Sequence, residues 1–103
     1  MTVPGLNPLI HAPVRLQICA ILAAADEAEF ALVREETGVS ESVLSKQVKL
    51  LEEAGYVAVR KATLASRQRT WLALTKAGRT AFAAHMQALT RLAATAANAI
   101  AAE

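Results

Sequence analysis

The sequence predicts a mostly α-helical α+β domain carrying one small β-hairpin, and three observations support this. The apolar spacing is helical through the first half of the chain, alternates with a period of two after Gly55, and returns to a helical seam after Thr75. Aromatic residues are 4% of a chain that is 54% hydrophobic, so the core falls to Leu, Val, Ile and Ala, a set led by strong helix formers. With 103 residues the chain has room for one domain and a modest core. We read 1–12 as an irregular arm, 13–75 as the core and 76–100 as a C-terminal helix.

Pro4, Gly5 and Pro8 interrupt the arm, and Pro13 follows it. From Pro13, a favoured first helical residue, Leu16, Ile18, Cys19, Ile21 and Leu22 recur at helical spacing, giving a first helix to Ala25. Residues 26–27 form an acidic turn, 28–30 a very short strand, and 31–37 a second helix with Leu32 and Val33 on its apolar stripe. Gly38 closes that helix, since a left-handed residue after a C-terminus is most easily glycine. The third helix spans 40–54, with Ser40 as N-cap and Gly55 as the closing residue. Its Leu44, Val48 and Leu51 recur at i, i+4 and i+7, the mark of one buried stripe. Tyr56, Val57 and Val59 then alternate with small or charged residues, as do Trp71, Leu72 and Leu74 beyond a polar, basic tip at 63–67. Thr75 caps the last helix. Its Phe82, Met86, Leu89, Leu92, Ala96 and Ile100 form a seam suited to packing on another helix.

Charge is distributed unevenly. Residues 1–39 carry a balance of −3, residues 40–79 a balance of +5, and the tail is neutral. The excess of Lys and Arg therefore falls on the third helix and the hairpin, where contact with a polyanion would release counterions. On the third helix the face away from the stripe holds Ser42, Ser45, Lys46, Gln47 and Lys49, the hydroxyls, amide and cations that base edges and phosphates call for. A charged outer helix face is more often simple solvation, so the functional reading rests on the combination with the turn and the basic hairpin.

Other chemistries find little support. There is no nucleophile elbow or Gly-rich phosphate loop, so we expect no enzyme and no cofactor. His11 and His85 stand far apart without a cysteine or acidic cluster, and no metal site is expected. Cys19, among apolar neighbours, reads as a buried, inert thiol, and Trp71 as a packed core aromatic. The N-terminus lacks a basic start followed by an apolar run, and no stretch approaches the length of a membrane span, so a cytoplasmic protein is expected.

Three phrases carry a family resemblance: PVRLQICAILAA at 13–24, EFALVREETGVSESVLSKQVKLLEEAGYV at 29–57 and RTWLALTKAGRTAF at 69–82. In their order and in the pairing of LLEEAGYV with LALTKAGR, they resemble the winged helix-turn-helix transcription regulators, in particular the small MarR-like and ArsR-like members. The resemblance implies a long C-terminal dimerisation helix and a homodimer built from the first and last helices, with Leu16, Phe82, Met86, Leu89, Leu92 and Ala96 in the interface. It implies double-stranded DNA as partner, with Ser42, Val43, Ser45, Lys46, Gln47 and Lys49 entering the major groove and Arg67, Gln68 and Arg69 forming the wing within 60–70. A small-molecule effector is compatible with it, since pockets in such regulators leave no motif. The chain departs from close relatives in lacking Gly and Pro in the wing loop, read as Ala65-Ser66-Arg67-Gln68-Arg69. The expected function is a dimeric repressor on a palindromic operator. A protein-interaction module and a low-specificity architectural DNA binder remain as alternatives.

Overall fold

In a computed structural model describing residues 4–102, the elements follow in the order α1 (Pro8–His11), α2 (Pro13–Ala23), β1 (Ala28–Glu29), α3 (Phe30–Thr37), α4 (Glu41–Glu53), β2 (Val57–Leu64), β3 (Arg67–Leu74) and α5 (Lys76–Ala101). The α+β expectation holds. The strands form one antiparallel sheet in the order β1-β3-β2, so the hairpin gains a third strand through the pairs Ala28 with Leu72 and Glu29 with Trp71.

The core forms where the apolar faces of α2, α3, α4 and the inner side of the sheet converge. Ile18, Cys19, Leu22, Val33, Leu44, Leu51 and Leu72 are fully buried there, with Val48, Val57 and Leu74 nearly so. Each fully buried branched side chain contributes roughly 1.5–3 kcal/mol. The three residues of the α4 stripe therefore fix the rotation of that helix far more firmly than any surface contact. On α3 only Val33 of the expected pair is buried; Leu32 remains 46% exposed. Trp71 is half-buried, with the Arg60 guanidinium 5.6 Å from its ring centre, and it lies outside the core proper.

The expected irregular arm requires correction. Residues 1–3 lie outside the described residues, but the rest of the arm contains a one-turn helix, α1. Asn7 builds it: its side-chain oxygen accepts from the backbone N–H of Leu9 and Ile10, and its amide nitrogen donates to the Tyr56 hydroxyl at 3.0 Å. The fully buried Ile10 then anchors the turn in the core. The prolines point to an irregular segment, but Pro8 stands at the first position of the helix, where no backbone donor is lost.

Helix ends follow the caps. Ser40 Oγ accepts from Val43 N–H, Thr75 Oγ1 accepts from Gly78 N–H, and Gly38 and Gly55 close their helices at φ 72° and 81°. The junction between α4 and α5 is stitched across the sheet. Tyr56 O accepts from Thr75 N–H at 3.0 Å, while Thr75 Oγ1 donates to Gly55 O at 2.6 Å. Gly78 lies directly against the Tyr56 carbonyl, leaving no room for a side chain. LLEEAGYV and LALTKAGR are thus two sides of one contact.

Helix α5 is long, and its halves differ. Up to Leu89 it lays Gly78, Ala81, Phe82, His85 and Ala88 against the body. From Thr90 to Ala102 every residue is exposed, and the helix accounts for much of the 61 Å long dimension of the molecule.

His85 is fully buried, and its surroundings fix its protonation. Nδ1 accepts from Asn7 N–H at 3.0 Å, so the ring proton resides on Nε2, 3.3 Å from His11 Nδ1. Burial, reinforced by the neighbouring His11, holds its pKa below the ordinary histidine value. The two histidines, separate in sequence, meet at an edge-on ring contact of 5.2 Å that joins α1 to α5.

Two outcomes are expected. Gly78→Ala should destabilise the fold by at least about 2 kcal/mol in urea unfolding, because the added methyl meets backbone that cannot swing aside. Acid should also destabilise it. Below about pH 6.5 the unfolded chain takes up a proton that native His85 refuses, so stability falls until pH passes the lowered native pKa. His85→Gln keeps an acceptor for Asn7 N–H and should flatten that slope in denaturation curves measured from pH 7.5 to 5.

Candidate nucleic-acid interface

Because α4 turns Leu44, Val48 and Leu51 inward, its opposite face is set by helix geometry. Ser42 and Lys46 lie along the middle of the outer face. Ser45 and Lys49 flank it on the side of the hairpin, while Val43 and Gln47 flank it on the side of α2. Ser42, Ser45, Lys46 and Lys49 are exposed, and Val43 is 41% exposed, an apolar group on an otherwise polar surface. Gln47 differs. It is half-buried, and its Oε1 accepts from Arg15 Nη1 on α2 at 2.6 Å.

The wing differs from its expected form. Arg67, Gln68 and Arg69 belong to strand β3, paired with Leu64, Thr63 and Ala62 on β2, and the loop is only Ala65-Ser66. Both loop residues have positive φ, 50° and 64°, so the strands join through a tight two-residue turn of the kind whose twist matches the sheet. Arg67 and Gln68 are exposed beside that turn. Arg69 is half-buried and pairs with Glu29 at 3.4 Å.

Acidic residues engage part of the positive charge. Arg60 meets Glu27 at 2.6 Å in addition to its contact with Trp71. Among the described residues Lys46, Lys49, Lys61 and Arg67 enter no ion pair. Lys49, Lys61 and Arg67 line an open groove between α4 and the hairpin, formed by two adjoining hollows of about 420 and 400 Å³, while Lys46 stands on the outer face of α4. Phe30, Glu41 and Thr70 line both hollows; Ser45, Lys49 and Lys61 line one, Arg67 and Arg69 the other.

The remaining candidates are distributed as follows. Met86, Leu92 and Ala96 are exposed on α5, whereas Leu16 and Phe82 lean on the intramolecular core and Leu89 is half-buried. Burial raises the Cys19 thiol to about 11, which keeps it protonated and unreactive. Among the described residues no cluster of three His, Cys, Asp or Glu can hold a metal ion, and no helix is long and apolar enough to cross a membrane. Arg15 escaped sequence reasoning. Its only signal was a cation on a helix that otherwise packs inward.

Comparisons agree with this geometry. A family model described as a winged helix DNA-binding domain matches residues 14–93. The uncharacterized protein MJ0432 of Methanocaldococcus jannaschii is 31% identical over 74 residues, covering 72% of this chain and 80% of that protein. Among solved structures, a transcriptional regulator homologue from Pyrococcus horikoshii superposes with a TM-score of 0.79 at 24% identity, over 84% of this chain and 86% of that one. A transcriptional regulator of the MarR family from Enterococcus faecalis gives 0.75 at 18% identity, over 92% and 84%. The likeness to these structures lies in the fold, and the sequence match with the family spans most of the chain: it belongs to the winged helix DNA-binding domain family, with the architecture of a MarR-like transcription regulator.

Proposed function

We propose that this chain acts as a homodimeric, sequence-specific repressor that occupies a palindromic operator. The observation that supports this best is the set of unpaired cations on two elements at once, Lys46 and Lys49 on α4 with Lys61 and Arg67 on the hairpin. In this reading α4 enters the major groove, Lys46 and Lys49 neutralise phosphates, and Ser42, Val43, Ser45 and Gln47 face base edges. Arg67 and Gln68 follow the backbone beside the groove, and Arg69 joins them if Glu29 releases it.

The dimer follows from α5. From Thr90 onward every described residue of α5 is exposed, and Leu92 and Ile100 are 42% and 72% exposed there, with Met86 one turn before at 40%. Pairing two such helices about a two-fold axis presents two α4 helices to half-sites one or more helical turns apart. The second contact is then intramolecular, which raises affinity without any new interaction. A dimer seated across a promoter excludes polymerase by occupancy.

Fluorescence anisotropy on a selected operator across a salt series tests the DNA contact. Lys46→Ala and Lys49→Ala are each expected to lower the slope of log K against log salt by about one. Unchanged slopes in both would remove α4 from the phosphates, and equal affinity for random duplex would favour an architectural binder. Met86→Glu combined with Leu92→Glu alters only exposed positions of the protomer. In sedimentation equilibrium it should convert a dimer to a folded monomer, with operator affinity reduced by about a hundredfold or more.

A further inference from the structure

Gln47 offers a sharper prediction than its residue type suggests, because the structure determines which end of its amide faces outward. Arg15 uses both sides of its guanidinium. Nε donates to Leu9 O of α1 at 2.5 Å, and Nη1 donates to Gln47 Oε1 at 2.6 Å. A guanidinium has only donors, so the Gln47 carbonyl must face it; a flipped amide would set N–H against N–H. With its other side held by α1, Arg15 has little freedom to turn away. Among the described residues Gln47 Nε2 has no hydrogen-bond partner, and no buried side-chain nitrogen or oxygen lacks one, so the NH2 group is reached by solvent.

A free glutamine can read adenine through one donor and one acceptor, to N7 and N6 of the same base. With Oε1 turned toward Arg15, Gln47 directs its NH2 group outward, and the pairing, which needs both ends of the amide to face one base, is lost. One turn earlier on the same flank of α4 stands Val43, 41% exposed. A donor beside an apolar group is the complement of one base edge in particular, since thymine presents the O4 acceptor next to its C5-methyl group. Guanine provides acceptors but no methyl, and cytosine provides a donor.

Resting on the operator-binding reading above, we propose that Arg15 is a positioning residue that locks the Gln47 amide carbonyl-inward, so that Gln47 and Val43 together read a thymine in the major groove. Arg15 itself touches no base. Its effect is on preference at one position of the half-site.

Selection of bound sequences from randomised duplexes tests this, with the full-length protein and its variants. The position read by Gln47 is the one that Gln47→Ala flattens, and the wild type is expected to select thymine there. Replacing that thymine by deoxyuridine should weaken wild-type binding about fourfold, the effect of one buried methyl group, and should hardly affect Val43→Ala. Arg15→Met, which frees Oε1, should raise adenine at that position to at least the level of thymine, while Arg15→Lys, which retains a donor, should keep thymine. If Arg15→Met fails to fold, Gln47→Glu decides the matter: an acceptor-only side chain should shift the preference to cytosine. Selection of adenine by the wild type, an Arg15→Met profile identical to wild type, or a Gln47→Glu variant that still selects thymine would overturn the proposal. Wild-type protein that selects no sequence at all would instead bring down the operator-binding reading on which it stands.

Discussion

Burial of Leu44, Val48 and Leu51 against α2 and the sheet is the constraint from which the rest of the surface follows. Three side chains at roughly 1.5–3 kcal/mol each outweigh the exposed ion pairs nearby, which contribute about 0–1 kcal/mol apiece. The rotation of α4 is therefore decided by its apolar stripe. Ser42 and Lys46 point away from the body as a geometric consequence, and Gln47 is left at the edge where α2 can reach it. A charge on the outer face could be changed without turning the helix, whereas a polar residue at Leu44 would turn or unfold it.

A second layer of organisation radiates from α1, the shortest helix of the fold. Asn7 reaches Tyr56 at the exit of α4 and His85 on α5, His11 meets the same His85, and Leu9 O holds the Arg15 that in turn holds Gln47. One turn of helix thus joins α4 and α2 to α5. Every link is a directional hydrogen bond, which fixes the relative placement of these elements more narrowly than apolar packing alone. The buried His85 can belong to such a network only as a neutral ring, since a second ring proton would confront Asn7 N–H.

Features that depend on local spacing were legible in the sequence. The stripe of α4, the caps at Ser40 and Thr75, the glycine at 38 and the change of period after Gly55 each follow from chemistry within a few residues, and each stands where expected. The short strand before α3 was legible too, although its pairing with β3 was not. What escaped were contacts between residues distant in sequence: His11 with His85, Arg15 with Gln47, Arg69 with Glu29. The helix α1 was hidden by its prolines, because composition does not distinguish a proline that breaks a helix from one that starts it. In the wing, Arg67, Gln68 and Arg69 read as loop because the actual turn, Ala65-Ser66, lacks the Gly or Asn that usually marks positive φ.

The carboxylates around the groove bear on how a phosphate backbone could lie there. Glu29 and Glu41 line one hollow, and Glu41 and Glu52 the other, so carboxylates and cations share the lining of the groove between α4 and the hairpin. The unpaired cations surround it, Lys49 and Lys61 on one side and Arg67 near the turn. A polyanion at the groove thus meets carboxylates beside the cations, which lowers the attraction that the cations alone would exert. The ion pairs of Arg60 with Glu27 and Arg69 with Glu29 add to this, because each withdraws a cation from the pool that any polyanion can use. Non-specific attraction to a polyanion is thereby held down. The modest net charge of +2 is then consistent with a DNA-binding surface, since what matters for docking is which cations the fold leaves unpaired.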